Sequence, residues 1–237
     1  MTEHIVRAFD ADLQDLQRMV AEMGGLAEKS IADAVDALVR RDSVLAQQVM
    51  LADAAIDALQ REIEEKAVLT IARRQPMAID LREIVGAIRV SSDIERIGDL
   101  SKNIAKRVVA IGAEVRFPTV MRGVEHMSEL VLAALKRVLD AYMERDLEGA
   151  LEVWSGDEEI DAVNNSLFRE LLTYMMEDPR NITFCTHLLF CAKNIERMGD
   201  HATNIAETVH YMVEGRPLID ERPKGDTTSL TTVPFPG

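Results

Sequence analysis

The sequence predicts an all-α protein: a tandem repeat of two homologous three-helix bundles, six long helices in all, followed by a disordered C-terminal tail. Three observations carry this expectation. The composition is helical, with 47% hydrophobic residues, only 4% aromatic, and a bias to Ala, Leu, Glu, Met, Arg and Ile. Glycine and proline are sparse, at 12 and 7, and four of the prolines fall after position 216. The apolar segments between these breakers recur in the same order in the two halves of the chain.

The first segment spans Thr2 to Arg40, with Gly24–Gly25 as a possible kink. The second runs from Ser43 to Arg73 and stops before Pro76, because a residue preceding proline disfavours the α region. A third covers Met77 to Gly112, and "RFPTV" with Pro118 then breaks the chain. The fourth covers Thr119 to Glu144 and the fifth Leu147 to Met176. Pro179 opens the sixth, which ends near Glu214. The remainder, "GRPLIDERPKGDTTSLTTVPFPG", lacks apolar periodicity and reads as disordered. The expected division is 1–115 for the first three-helix repeat, 116–214 for the second and 215–237 for the tail.

The repeat is visible residue by residue. "ALVRRD", ending at Asp42, aligns with "AYMERD", ending at Asp146, and "DAAID" (Asp53–Asp57) aligns with "DEEID" (Asp157–Asp161) at an offset of 104. Pro76 matches Pro179. "DIERIGDLSKNIA" then matches "NIERMGDHATNIA" at an offset of 101, the difference lying in the loops near the prolines.

The chain carries 41 acidic against 27 basic residues, a net charge of -14. Nucleic-acid binding needs concentrated Lys and Arg, and so does an anionic membrane surface; a cation or a basic protein face suits this charge better. "MTEHIVRAFDADLQDL" is charged from its third residue and has no apolar h-region, so no signal peptide is expected. No apolar run approaches the roughly 20 residues of a spanning helix. A cytoplasmic location is expected.

An acidic pair four residues apart is cheap here: about seven arise by chance from this composition. The constellation is not cheap. Each half carries a DxxxD on its second helix and an ExxxD on its third: Asp53, Asp57, Glu95 and Asp99, then Asp157, Asp161, Glu196 and Asp200. Surface neighbours differ between the halves, Ala54 against Glu158 and Ser101 against Ala202, while the eight carboxylate positions stay acidic. The apolar stripe Leu81, Ile84, Val85, Ile88 continues through Ser92, Glu95, Asp99 and Asn103. Ile182, Cys185 and Leu189 lead likewise to Glu196, Asp200 and Asn204. Inward carboxylates on adjacent turns are costly when ionised and unpaired. Cations neutralise them, or Arg and Lys do in a polar seam, or their pKa values rise. An all-oxygen set suits Mg, Mn, Ca or carboxylate-bound iron better than structural zinc. Gly98 and Gly199, each costing about 1 kcal/mol of helix propensity, suggest a close approach to the backbone.

Other features have plainer readings. Cys185 and Cys191 occupy the slots of Ile84 and Val90 and read as core residues. The 12 methionines read as core filler, and His201 and His210 as surface or edge residues. Arg73, Arg74 and Arg82 form a basic helix end, either solvated or open to an acidic partner. A di-iron site wants duplicated Glu-x-x-His motifs, and "ETVH" has no counterpart in the first half. No phosphate loop and no nucleophile–base–acid set emerges, so no catalytic residue and no enzymatic activity are expected.

"RRQPMAIDLREI" with "SSDIERIGDLSKNIA", and "LLTYMMEDPRNI" with "CAKNIERMGDHATNIAE", resemble the PhoU family of bacterial phosphate-signalling regulators. The resemblance extends to about Glu214. It implies divalent metal ions (Fe, Mn, Mg or Zn) on the acidic motifs, with Asp53, Asp57, Glu95 and Asp99 as one ligand set and Asp157, Asp161, Glu196 and Asp200 as the other. It further implies a negative regulator of the phosphate-starvation response. Such an adaptor couples the ATPase subunit of the high-affinity phosphate ABC transporter to the sensor histidine kinase of the phosphate two-component system, and a homodimer is expected. The competing readings are a metal-dependent helical-bundle enzyme (di-metal oxidase or phosphohydrolase) and a structural bundle with ion-paired acidic seams.

Overall fold

A computed structural model describes residues 2–111 and 117–219, with side chains from Phe9 onward. The described residues are helical and contain no strand. In the first half these are α1 (Thr2–Arg40), α2 (Ser43–Arg74) and α3 (Ile79–Ile111). In the second they are α4 (Pro118–Glu144), α5 (Leu147–Ser155), α6 (Asp157–Glu177) and α7 (Ile182–Glu214), with a 3₁₀ turn at Pro179–Asn181 before α7. Residues 220–237 of the expected tail lie outside the described residues.

Two details refine the expected helices. α1 is assigned without interruption through Gly24–Gly25, where the sequence suggested a kink. Gly24 instead makes room, since a Cβ there would stand 2.5 Å from Leu139 Cδ1 of α4. The fifth segment is divided at Gly156, whose N–H is shared between Glu152 O (3.0 Å) and Val153 O (3.2 Å). That bifurcation tightens the last turn of α5, and Asp157 opens a fresh helix.

The repeated "RD" is a turn device. Arg41 and Arg145 adopt left-handed backbone (φ 59° and 57°), closing α1 and α4. Asp42 then caps α2 through Val44 N and Leu45 N, both at 2.9 Å, and Asp146 caps α5 through Gly149 N at 3.1 Å.

Within the first bundle α1, α2 and α3 pack on one another, and α4 to α7 form the second. The bundles join along α3–α7 and α1–α4. Small residues let these seams close: Gly86 of α3 lies under Met212 of α7, as Gly24 lies under Leu139. The buried apolar side chains of both bundles form one continuous core, including Ile31, Ile97, Leu135, Ile195 and Ile205. Each such side chain contributes about 1.5–3 kcal/mol when fully buried. Cys185 and Cys191 are free thiols within it, as their slots implied, and Met23, Met127 and Met198 are core as well.

Candidate functional site

In the first bundle Asp53 and Asp57 stand one turn apart on α2, facing Glu95 and Asp99 on α3. Asp53 is 2% exposed. Gly98 is what brings the two helices together: a Cβ there would lie 3.0 Å from Ile56 Cδ1 and 3.4 Å from Asp53 Oδ1. The second bundle repeats this, with a Cβ at Gly199 falling 3.0 Å from Ile160 Cδ1 and 3.7 Å from Asp157 Oδ1. The repeated glycine therefore admits the isoleucine and aspartate of the preceding helix.

Cationic side chains sit among these carboxylates. The Lys102 ammonium donates to Asp53 Oδ2 and lies 4.0 Å from Asp99 Oδ1. The Arg96 guanidinium stands 3.5 Å from Glu95 and 3.7 Å from Asp99. Burial pushes the Glu95 carboxyl above its usual range; Arg96 opposes this, and Asp99, Asp57 and Asp53 reinforce it. The hydrogen bond it donates to Asp53 raises the Lys102 ammonium, with the charges of Asp53, Asp99 and Asp57 adding to it. The four carboxylates thus share one electrostatic field. Asp53 Oδ1 is buried and has no hydrogen-bond partner.

The second set is more deeply covered. Asp157, Asp161 and Glu196 are buried and Asp200 is part-exposed. Lys193 Nζ meets Glu196 Oε1 at 2.8 Å along its own helix. At the register of Lys102 stands Thr203, whose hydroxyl donates to Gly199 O at 3.1 Å. A cavity of about 230 Å³ opens on Asp157, Gly199 and Thr203.

The donor chemistry fits a hard divalent ion: oxygen only, with Asp53 Oδ1 buried and unbonded. The arrangement is also ion-paired, through Arg96, Lys102 and Lys193, and among the described residues no three His, Cys, Asp or Glu side chains stand together as a metal shell. The apolar stripes pass through the core at Ile84 and Cys185 but also run to its edge. Leu81, Ser92 and Ile182 are exposed, while the buried face of α3 passes through Ala87, Ile94, Ile97 and Ile104.

Both histidines are more covered than an edge position implies. His201 Nδ1 lies 2.8 Å from Asp93 Oδ1 across the α3–α7 seam, and Asn204 donates to the same oxygen at 3.2 Å. His210 is buried, its Nδ1 3.2 Å from Arg216 O. In the basic end, Arg74 is held by Asp12 of α1 at 3.0 Å, Arg82 lies against Gly215, and Arg73 is exposed.

Sequence reasoning allowed for Arg and Lys in an acidic seam without naming Lys102, Arg96 or Lys193, and it missed one cross-bundle contact. Lys102 follows Asp99 by three residues, a helical-neighbour spacing that was available as a signal. The missed contact is that of Arg145, whose guanidinium pairs with the buried Glu83 of α3. Nothing local in the sequence marks that pair.

Comparison with known proteins bears on the whole fold. A family model, the PhoU domain, matches residues 20–108 and again 124–209. The chain is 60% identical over 226 residues to the phosphate-specific transport system accessory protein PhoU homolog of Rhizobium meliloti (strain 1021), covering 95% of each chain. It is 52% identical over 229 residues to the protein so named from Caulobacter vibrioides (strain NA1000 / CB15N), covering 97% of this chain and 100% of the relative. Among solved structures, PhoU from Pseudomonas aeruginosa superposes with a TM-score of 0.84 at 41% identity, covering 88% of this chain and 100% of the other. The phosphate transport system regulatory protein PhoU from Streptococcus pneumoniae gives 0.82 at 27% identity, covering 89% and 99%.

Proposed function

The chain belongs to the PhoU family, and on that premise we propose that it is a cytoplasmic accessory regulator of a phosphate-specific transport system. In this reading it represses the phosphate-starvation response when phosphate is plentiful. It does so as an adaptor between the ATPase subunit of the phosphate ABC transporter and the sensor histidine kinase of the phosphate two-component system. The relatives' accessory and regulatory names favour an adaptor over an enzyme. The absence, among the described residues, of a helix long and apolar enough to cross a membrane is consistent with it.

The observation that carries the reading is the acidic set repeated in register in both PhoU domains, with Asp53 and Asp157 each buried beside a glycine of the next helix. Two divalent-metal sites are part of the proposal: Asp53, Asp57, Glu95 and Asp99 hold one ion, and Asp157, Asp161, Glu196 and Asp200 the other. A bound ion supplies positive charge that rivets the second helix of each bundle to its third. Lys102, Arg96 and Lys193 supply that charge where no ion is bound.

Deleting the gene and following a phosphate-responsive promoter tests the regulatory part, since unchanged expression in rich and poor phosphate rejects it. Co-purification with the transporter ATPase and with the kinase tests the partners, and size measurement in solution tests the homodimer. Elemental analysis of protein stripped and then offered Fe, Mn, Mg and Zn tests the metal sites; retention of none rejects them.

A further inference from the structure

Arg41 and Arg145 occupy equivalent left-handed turns of the two halves, and each reaches across to the other bundle. Arg145 finds the carboxylate of Glu83 on α3. Arg41 reaches α7, the counterpart of α3. At the offset that carries Ile84 to Cys185, Glu83 becomes Phe184, and the Arg41 guanidinium carbon lies 4.5 Å from that ring's centre. The contact is acidic in one half and aromatic in the other.

The consequence, among the described residues, is a buried cation without an anion. Nε, Nη1 and Nη2 of Arg41 are all buried, and none has a hydrogen-bond partner. A ring face attracts the charge but leaves the five N–H donors largely unsatisfied. Arg107 of α3 faces the same stretch of α7: its guanidinium lies 4.1 Å from the Phe190 ring centre, and Nη1 is 3.4 Å from His187 Nδ1. Burial, then Arg107, holds His187 below its usual value, which favours a neutral ring accepting from Arg107. The Cys191 thiol sits in the field of both arginines. Burial still pushes it up to about 12, so it stays neutral and provides no counter-charge. In a chain of net charge -14, this seam gathers guanidinium groups, and among the described residues no carboxylate is bonded to either.

We propose that the seam between α1, α3 and α7 at Arg41 is a binding site for a small oxyanion of the phosphate or sulfate type. The planar fork of Arg41 offers paired donors to two oxygens, and Arg107, whose field also reaches Cys191, adds positive charge nearby. The Arg41 nitrogens are closed to solvent, so the ligand is a small ion and its entry requires local opening of the seam. The site is independent of the acidic sets.

The test is thermal melting of the full chain in sodium phosphate, sulfate and chloride at matched ionic strength, with metal ions removed. Phosphate or sulfate is expected to raise the melting temperature saturably above chloride. The half-saturating concentration should rise at least tenfold in Arg41→Met and less in Arg41→Lys, which keeps the charge without the fork. Phe184→Glu, which installs the carboxylate found at Glu83, should abolish the response in a chain still helical by circular dichroism. A wild-type protein that answers neither anion beyond chloride overturns the proposal, as does an Arg41→Met variant that answers both as strongly as wild type. Stabilisation by an acidic peptide alone, with no effect of either ion, also overturns it.

Discussion

The Lys102 ammonium closes on Asp53 from the neighbouring helix, and the carboxylate it meets is 2% exposed with its second oxygen unbonded. One side of a buried charge is therefore neutralised by a tethered cation. Lys102→Thr, the residue of the second half, leaves that charge uncompensated. With Lys102 itself partly solvated, it is expected to cost the metal-free protein about 1–3 kcal/mol. It also removes the cation that competes with an added ion, so millimolar Mn²⁺ should raise the melting temperature more in the variant than in wild type. Scanning fluorimetry with and without Mn²⁺ decides this, and equal responses count against the metal sites.

Gly86 and Met212 set the spacing of the α3–α7 seam. A Cβ at Gly86 would run into Met212 Sδ and stand 2.8 Å from its Cγ. Gly86→Ala gains about 1 kcal/mol of helix propensity and loses about 1–3 kcal/mol to overpacking, so a net loss is expected. Met212→Ala should cost about 2–5 kcal/mol alone, but less in the Gly86→Ala background. Denaturant titration of the double-mutant cycle measures the coupling, and additivity would falsify the packing argument.

The fold was legible because each of its devices is local. Pro76 and Pro179 sit at the breaks before α3 and α7, the repeated aspartates at 42 and 146 cap helices, and the repeat itself reveals two copies of one bundle. The acidic sets stood out as candidates for the same reason, since four-residue spacing on helices is a one-dimensional signal. What could not be read is what crosses between elements far apart in sequence. Lys102 meets Asp53 from 49 positions away, and Arg145 meets Glu83 from the other bundle. A helix alone reveals neither partner, and both depend on how the helices are rotated against each other. The same rotation puts Leu81 and Ser92 at the edge of the core, a shift that a stripe drawn at 100° per residue does not resolve.

Glu83 gives a pH-dependent prediction. Burial pushes its carboxyl above the usual 4.5, with Arg145 opposing that rise. The folded state therefore holds the proton more tightly than the unfolded chain. This contribution to stability is complete below the ordinary carboxylate range and is lost as pH rises through the elevated folded value. Arg145→Met removes the opposing charge and widens the window. It should destabilise by about 1–3 kcal/mol at pH 7, discounted for the half-exposed guanidinium, and by much less near pH 4. Glu83→Gln should abolish the difference. Urea titrations at the two pH values give the comparison, and a deficit that is the same at both rejects the pairing as its cause.

Trp154 allows the coupling of the two bundles to be measured. It is the chain's single tryptophan, on α5, and its Nε1 donates to Glu207 Oε1 of α7 at 3.3 Å, so its emission reports the second bundle alone. Far-UV circular dichroism reports both. Since one continuous core runs through the α3–α7 and α1–α4 seams, opening one bundle exposes apolar surface on the other. The two probes are therefore expected to give one midpoint in guanidinium chloride. Gly86→Ala, which strains the seam, should move both midpoints together while the core stays continuous. A tryptophan transition that separates from the helical one, in either protein, would show that the bundles unfold independently and that the seam contributes little to holding them as a unit.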